Sequence, residues 1–166
     1  MNGYGIGKRE IYERIYIAIV ALVILLCFLP CYELKEVRDG IPKITSSTLL
    51  DSKTNVLPLL IPPLIIFFVF KGMRIGASVF GIIESLLNVV LIWFIVDDGQ
   101  YRINVLSHPD TLFCRILISD GVTSITSSYP IGYYLNIGAA ILLLIFAVTG
   151  FFIPEDGDKV LITTSQ

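Results

Sequence analysis

From Ile75 to Val96 the chain is apolar apart from a polar thread, and Glu84 is its one charged side chain. A helix rises about 1.5 Å per residue and a bilayer's hydrocarbon core is about 30 Å thick, so a run of about 20 such residues can cross it. This run has that length, and the stretch from Ile131 to Ile153 matches it. Two weaker blocks precede them, Ile15 to Leu29 and Val56 to Phe70. The first is extended inward by Ile11, Tyr12 and a snorkelling Arg14. The second carries Pro58, Pro62 and Pro63 and should be kinked.

With 55% hydrophobic and 16% charged residues, the chain is well below the roughly one-quarter charge of a globular domain. The apolar residues gather in blocks rather than recurring at helical or strand period, which points to lipid as the solvent. The first block is expected to stay uncleaved. Lys8, Arg9 and Arg14 precede it, but Cys27-Phe28-Leu29-Pro30-Cys31 has no small-x-small cleavage site, nor the small residue expected before a lipoprotein cysteine.

Orientation follows from the basic residues near the helix ends. Six Lys/Arg fall in the short segments 1–14, 71–74 and 154–166, and six in the two longer loops, so their density is about double on the first side. The turn Lys71-Gly72-Met73-Arg74 touches two helices at once, and Asp97 and Asp98 mark the far end of the third. Both termini are therefore expected inside, with a mobile Gly-rich start and a polar tail from Pro154.

The outer loops are patterned. In CYELKEVRDGIPKITSS, Asp39-Gly40 separates two alternating runs, the strongest short hairpin signal. In the second loop, QYRINVLS and TLFCRILIS also read as strands around a His108-Pro109-Asp110 turn. Cys31 and Cys114 both fall in these loops, where an oxidising compartment allows a bridge between them, whereas Cys27 reads as a small apolar residue inside the membrane. A redox centre is disfavoured because CFLPC is C-x-x-x-C rather than C-x-x-C. His108 and one exposed cysteine are too few ligands for a metal, and no motif implies a cofactor, catalysis or nucleic-acid binding.

Glu84 lies about 13 Å along its helix, near the bilayer midplane. A carboxylate there costs at least about 2.5 kcal/mol on insertion scales, so it must face the bundle or water, or carry its proton. Ser78, Gly81, Glu84, Ser85 and Asn88 share one stripe at i, i+3 and i+4 spacing, opposite a surface of the Val79, Ile82, Ile83, Leu86, Val90 and Ile92 type. Gly72, Gly76, Gly81 and Ser85 allow close helix approach. The last helix repeats Gly132, Asn136 and Ala140 every four residues, and Asn136 lies at a depth similar to Asn88, so a carboxamide pair is expected across that contact. Glu84, Ser85, Asn88 and Asn136 form an intramembrane polar site. It serves as interhelical glue, as a place for a partner helix or small ligand, or as a proton or cation relay.

Leu29-Pro30-Cys31, the basic turn Lys71-Gly72-Met73-Arg74 and the helix start Gly132-Tyr133-Tyr134-Leu135 together give a layout that resembles small bacterial four-helix membrane proteins of unknown function. Their L-P-W-like step has Cys31 in place of the aromatic. The loop signature of claudin-like proteins and the Cys-Cys-Gly of tetraspanins are absent. The expectation is an all-α transmembrane four-helix bundle formed by one domain, 1–166, with helices at about 11–30, 55–71, 74–97 and 131–153. Loops 31–54 and 98–130 cap it with a small extracellular β-hairpin or sheet. It should act in the plasma membrane by binding another membrane protein or its own copy, as an accessory subunit or immunity-type protein. The alternative is a small transporter or channel subunit using Glu84.

Overall fold

The computed structural model describes residues 8–51, 57–106 and 112–153. In chain order they form α1 (Lys8–Leu26), β1 (Pro30–Arg38), β2 (Ile41–Thr48), α2 (Leu57–Phe70), α3 (Arg74–Leu106), α4 (Leu112–Ser119), β3 (Val122–Ser128) and α5 (Ile131–Gly150). The three strands make one antiparallel sheet in the order β2-β1-β3. This overturns the all-α reading: the fold is mixed, five helices with a three-stranded sheet packed against them.

Among the described residues two helices, α3 and α5, are long and apolar enough to cross a membrane, not four. The other two expected spans fail for physical reasons. α1 opens with Lys8, Arg9, Glu10, Glu13 and Arg14, and its Arg14 pairs with Glu10 at 2.6 Å on an exposed face. α2 has 14 residues, about 21 Å of helix against a core of about 30 Å. Pro62 and Pro63 lie inside it and withhold two N–H donors from the preceding turn.

Of the two segments expected to form strands, the first makes the hairpin and the second does not pair as expected. Asp39 and Gly40 adopt φ of 51° and 77°, the left-handed pair that a two-residue hairpin needs, and β1 pairs β2 from Arg38↔Ile41 to Pro30↔Thr48. The third strand, however, is VTSITSS, while Gln100–Leu106 and Leu112–Ser119, expected as strands, are helical. Gln100–Leu106 is the end of α3, which runs on for 33 residues in all. The His108-Pro109-Asp110 turn, the N-terminal start and the polar tail lie outside the described residues.

Local chemistry fixes the two sharpest connections. After α2, the Gly72 N–H donates to the Val69 carbonyl and the Met73 N–H to the Phe68 carbonyl, with Gly72 at φ 70°, a Schellman stop that turns the chain directly into α3. At the sheet, the Asp39 N–H donates to the Gly121 carbonyl at 2.9 Å, pinning the hairpin tip to the start of β3.

Side chains of α1, α2, α3 and α5 meet in a core that includes Tyr16, Val20, Val23, Ile65, Leu143 and Ala147. Beyond it, Cys27, Cys31 and Leu49 pack on Leu91 and Ile92 of α3. The sheet then closes on the C-terminal part of α3, with Tyr32, Leu34, Val122 and Ile125 against Ile95, Val96, Ile103 and Leu106. α3 is therefore the spine common to the helix cluster and the sheet.

Candidate functional site

One face of α3 is buried along its length and includes Ser78, Gly81, Glu84, Ser85 and Asn88, whose spacing of three and four places them in a single stripe. The opposite side stays exposed at Val79, Ile83, Leu86, Val89 and Val90, whereas Ile92, read from sequence as outward, turns inward to the cysteine cluster. α5 contributes Gly132, Asn136, Ala139 and Ala140 as its buried face.

The structure brings Glu84 and Asn88 into contact. The Asn88 Nδ2 donates to Glu84 Oε1 at 3.3 Å, and both residues are fully enclosed, at 2% and 0% exposure. Ser85 donates to the Ala140 carbonyl of α5 at 2.7 Å. Asn136 does not meet Asn88. Its Nδ2 donates to the Leu26 carbonyl at 3.1 Å and to the Gly132 carbonyl at 2.8 Å, so it bolts the end of α1 to α5. The expected carboxamide pair does not form, because Asn136 reaches instead the Leu26 carbonyl at the end of α1, which also accepts the Leu29 N–H at 3.0 Å.

Two tyrosines add similar bolts. Tyr16 donates to the Ala77 carbonyl at 2.8 Å and Tyr12 to the Phe146 carbonyl at 2.6 Å. Glu84 Oε2 and Asn88 Oδ1 remain without a partner among the described residues. Both orphan acceptors sit on the two side chains already joined, so one proton or one small cation held between them would complete both.

Cys31 is a free thiol rather than half of a bridge, and its Sγ donates to the Ser47 carbonyl at 3.3 Å. Burial pushes this thiol up to about 11, opposite to the shift a reactive thiolate needs. The side chain of Cys114, on α4, lies outside the described ones. His108 is likewise outside them, and no group of three His, Cys, Asp or Glu gathers among the described residues.

Sequence reasoning missed a second concave region, where α3 leaves its apolar stretch and meets the sheet. A cavity of about 470 Å³ is lined by Ser47 and Asp51 on one side and by Leu91, Phe94, Ile95, Asp98 and Arg102 of α3 on the other. A smaller cavity of about 100 Å³ adjoins it through Asp98 and Arg102 and reaches Tyr32. Tyr32 is 2% exposed and lies flat on Gly99, where any side chain would overlap its ring. Burial raises its phenol, offset in part by nearby Ser127, yet the hydroxyl makes no hydrogen bond among the described residues. The available signal was Asp98 and Arg102 at i, i+4 directly past the apolar run, a pair 3.6 Å apart.

Comparison of the chain with protein-family models, with curated proteins and with solved structures returns no match.

Proposed function

We propose that this chain is a multi-pass protein of the plasma membrane that works by binding, as an accessory subunit of a membrane complex or as an immunity-type protein, and not by catalysis. The apolar surfaces of α3 and α5 support the location: Leu86, Trp93, Phe94, Tyr134 and Ile145 are each more than half exposed, a band that lipid would cover. The polar groups within these helices serve mainly as bolts to neighbouring backbones.

The observation that carries the binding reading is strand β2. It is an edge of the sheet, exposed from Ile41 through Ser46, with Ile41 at 70% and Ile44 at 63%. An edge strand offers free N–H and C=O groups, and a partner strand satisfies them while covering the two isoleucines. The partner is another membrane protein or a second copy.

Extraction in mild detergent, followed by mass determination, tests this. We expect a complex or oligomer that Ile41→Lys with Ile44→Lys dissociates while helical content is kept. A monodisperse monomer with no co-purifying partner overturns the proposal.

The two orphan acceptors at Glu84 and Asn88 favour a second reading, a small transporter or channel subunit that moves protons or cations past Glu84. Proteoliposome flux decides it: flux abolished by Glu84→Gln supports transport, and absent or unchanged flux sinks it.

A further inference from the structure

We infer that the groove between α3 and the β1–β2 hairpin is a binding site for one membrane phospholipid with a zwitterionic, primary-amine headgroup. This inference rests on the membrane reading above, because it places the groove at the level where the apolar part of α3 ends.

The lining changes character along the helix. Leu91, Phe94 and Ile95 belong to the last turns of the apolar run, and Asp98 and Arg102 stand one and two turns beyond, about 6 Å and 12 Å further along the axis from Phe94. The floor is therefore at acyl-chain depth and the rim at headgroup depth. A wholly polar ligand such as a sugar would leave the apolar floor unmatched, and a hydrocarbon would leave three charges facing it. An amphiphile satisfies both ends, and about 470 Å³ lies within the range of ligand cavities.

Charge selects the headgroup. Asp51 stands across the rim from Arg102 and Asp98 lies one turn before it on α3, so the site carries one net negative charge and displays both signs. An ammonium group meets the two carboxylates, and a phosphate meets the Arg102 guanidinium, whose fork suits phosphate oxygens. Asp98 holds Arg102 only loosely, at 3.6 Å with both side chains more than half exposed, so the guanidinium is available to a ligand. Asp51 accepts the Thr48 N–H at 2.5 Å, which fixes one carboxylate oxygen and leaves the other for an ammonium.

A second, independent observation points to a missing ligand group. The Tyr32 hydroxyl is buried and unpartnered in the wall of the adjoining cavity, which Asp98 and Arg102 also line. A buried hydroxyl without a partner is costly, and a phosphate oxygen entering beside Arg102 would accept its proton. A purely anionic headgroup would meet Arg102 but bring no cation to Asp51 and Asp98.

The test is retention of lipid by the full chain, read by native mass spectrometry. The protein is reconstituted into vesicles of equal phosphatidylethanolamine and phosphatidylglycerol, and then released in mild detergent. We expect one bound phosphatidylethanolamine, favoured at least several-fold over phosphatidylglycerol. Asp51→Asn with Asp98→Asn should erase the preference, and Tyr32→Phe or Arg102→Gln should lower total retention. Equal retention of the two lipids by the unaltered chain, or a preference unchanged in the double variant, overturns the site. Alkaline carbonate washing separates the layers of the argument: a chain stripped from the vesicles overturns the membrane reading as well, whereas an inserted chain without lipid preference overturns this inference alone.

Discussion

Gly81 and Tyr16 allow a quantitative test of how closely α3 approaches its neighbours. A Cβ built on Gly81 overlaps the Tyr16 hydroxyl and comes within 2.9 Å of the Ala147 Cβ. The same hydroxyl donates to the Ala77 carbonyl at 2.8 Å inside the core. Gly81→Ala must therefore push the hydroxyl off its acceptor, adding about 1–3 kcal/mol for overpacking and about 1–3 kcal/mol for an orphaned polar group. The gain in helix propensity returns about 0.5–1 kcal/mol, so the net loss is about 1–5 kcal/mol. Tyr16→Phe alone removes one buried hydrogen bond and costs about 0.5–1.5 kcal/mol. In the double variant the overlapping hydroxyl and the orphan are both gone and the nearest ring atom is 3.3 Å from the new methyl, leaving only the Ala147 Cβ contact at 2.9 Å. The two losses should thus fail to add, with a coupling of about 1–3 kcal/mol in favour of the pair. Reversible unfolding in mixed detergent micelles, followed by circular dichroism for all four proteins, measures this. Additivity within about 0.5 kcal/mol would refute the packing argument.

Other perturbations separate the elements. Gly40→Ala places a side chain at φ 77° and should weaken the hairpin by about 1–2 kcal/mol; faster amide exchange across Ile41–Thr48, with α5 unchanged, is the expected result. Asn136→Leu removes one bond to the end of α1 and one within α5, and Asn88→Leu one longer bond, so detergent unfolding should show the larger loss for Asn136, about 1–2 kcal/mol. Cys31 has a folded pKa of about 11 against an ordinary value of 9.0, so its contribution is fully present below pH 9 and lost as pH rises toward 11. The melting temperature should fall more steeply over that window than in Cys31→Ala, and the folded thiol should resist alkylation at pH 8.

How much of this was legible in the sequence depended on whether one periodicity stood alone. Asp39-Gly40 between alternating runs admits one local solution, and the hairpin forms there. QYRINVLS admits two. Tyr101, Ile103 and Val105 alternate as a strand would, but Gly99, Ile103 and Leu106 also share a helical face. Helix prevails because α3 already precedes it, so each added residue gains a hydrogen bond without a new nucleus, and Ile103 and Leu106 gain the sheet to pack on. β3 was overlooked because VTSITSS has only Val122 and Ile125 as apolar residues, and their spacing is not strand-like. A register irregularity at Val37/Arg38 lets both turn inward. At the polar stripe, membership was readable from spacing, but the partner of Asn136 was not. That depends on where α1 ends, four residues before a proline that sequence reading placed within a longer helix.

The continuity of α3 has a mechanical consequence. No proline interrupts it between Arg74 and Leu106, and Tyr32 clamps it at Gly99, so it offers no hinge between its apolar stretch and the sheet. Helices answer a change in bilayer thickness by tilting. A tilt of about 10° pivoting at Glu84 would swing Leu106 sideways by about 6 Å. The sheet and the open edge of β2 would travel with it, so the thickness of the surrounding lipid would set where that edge is held.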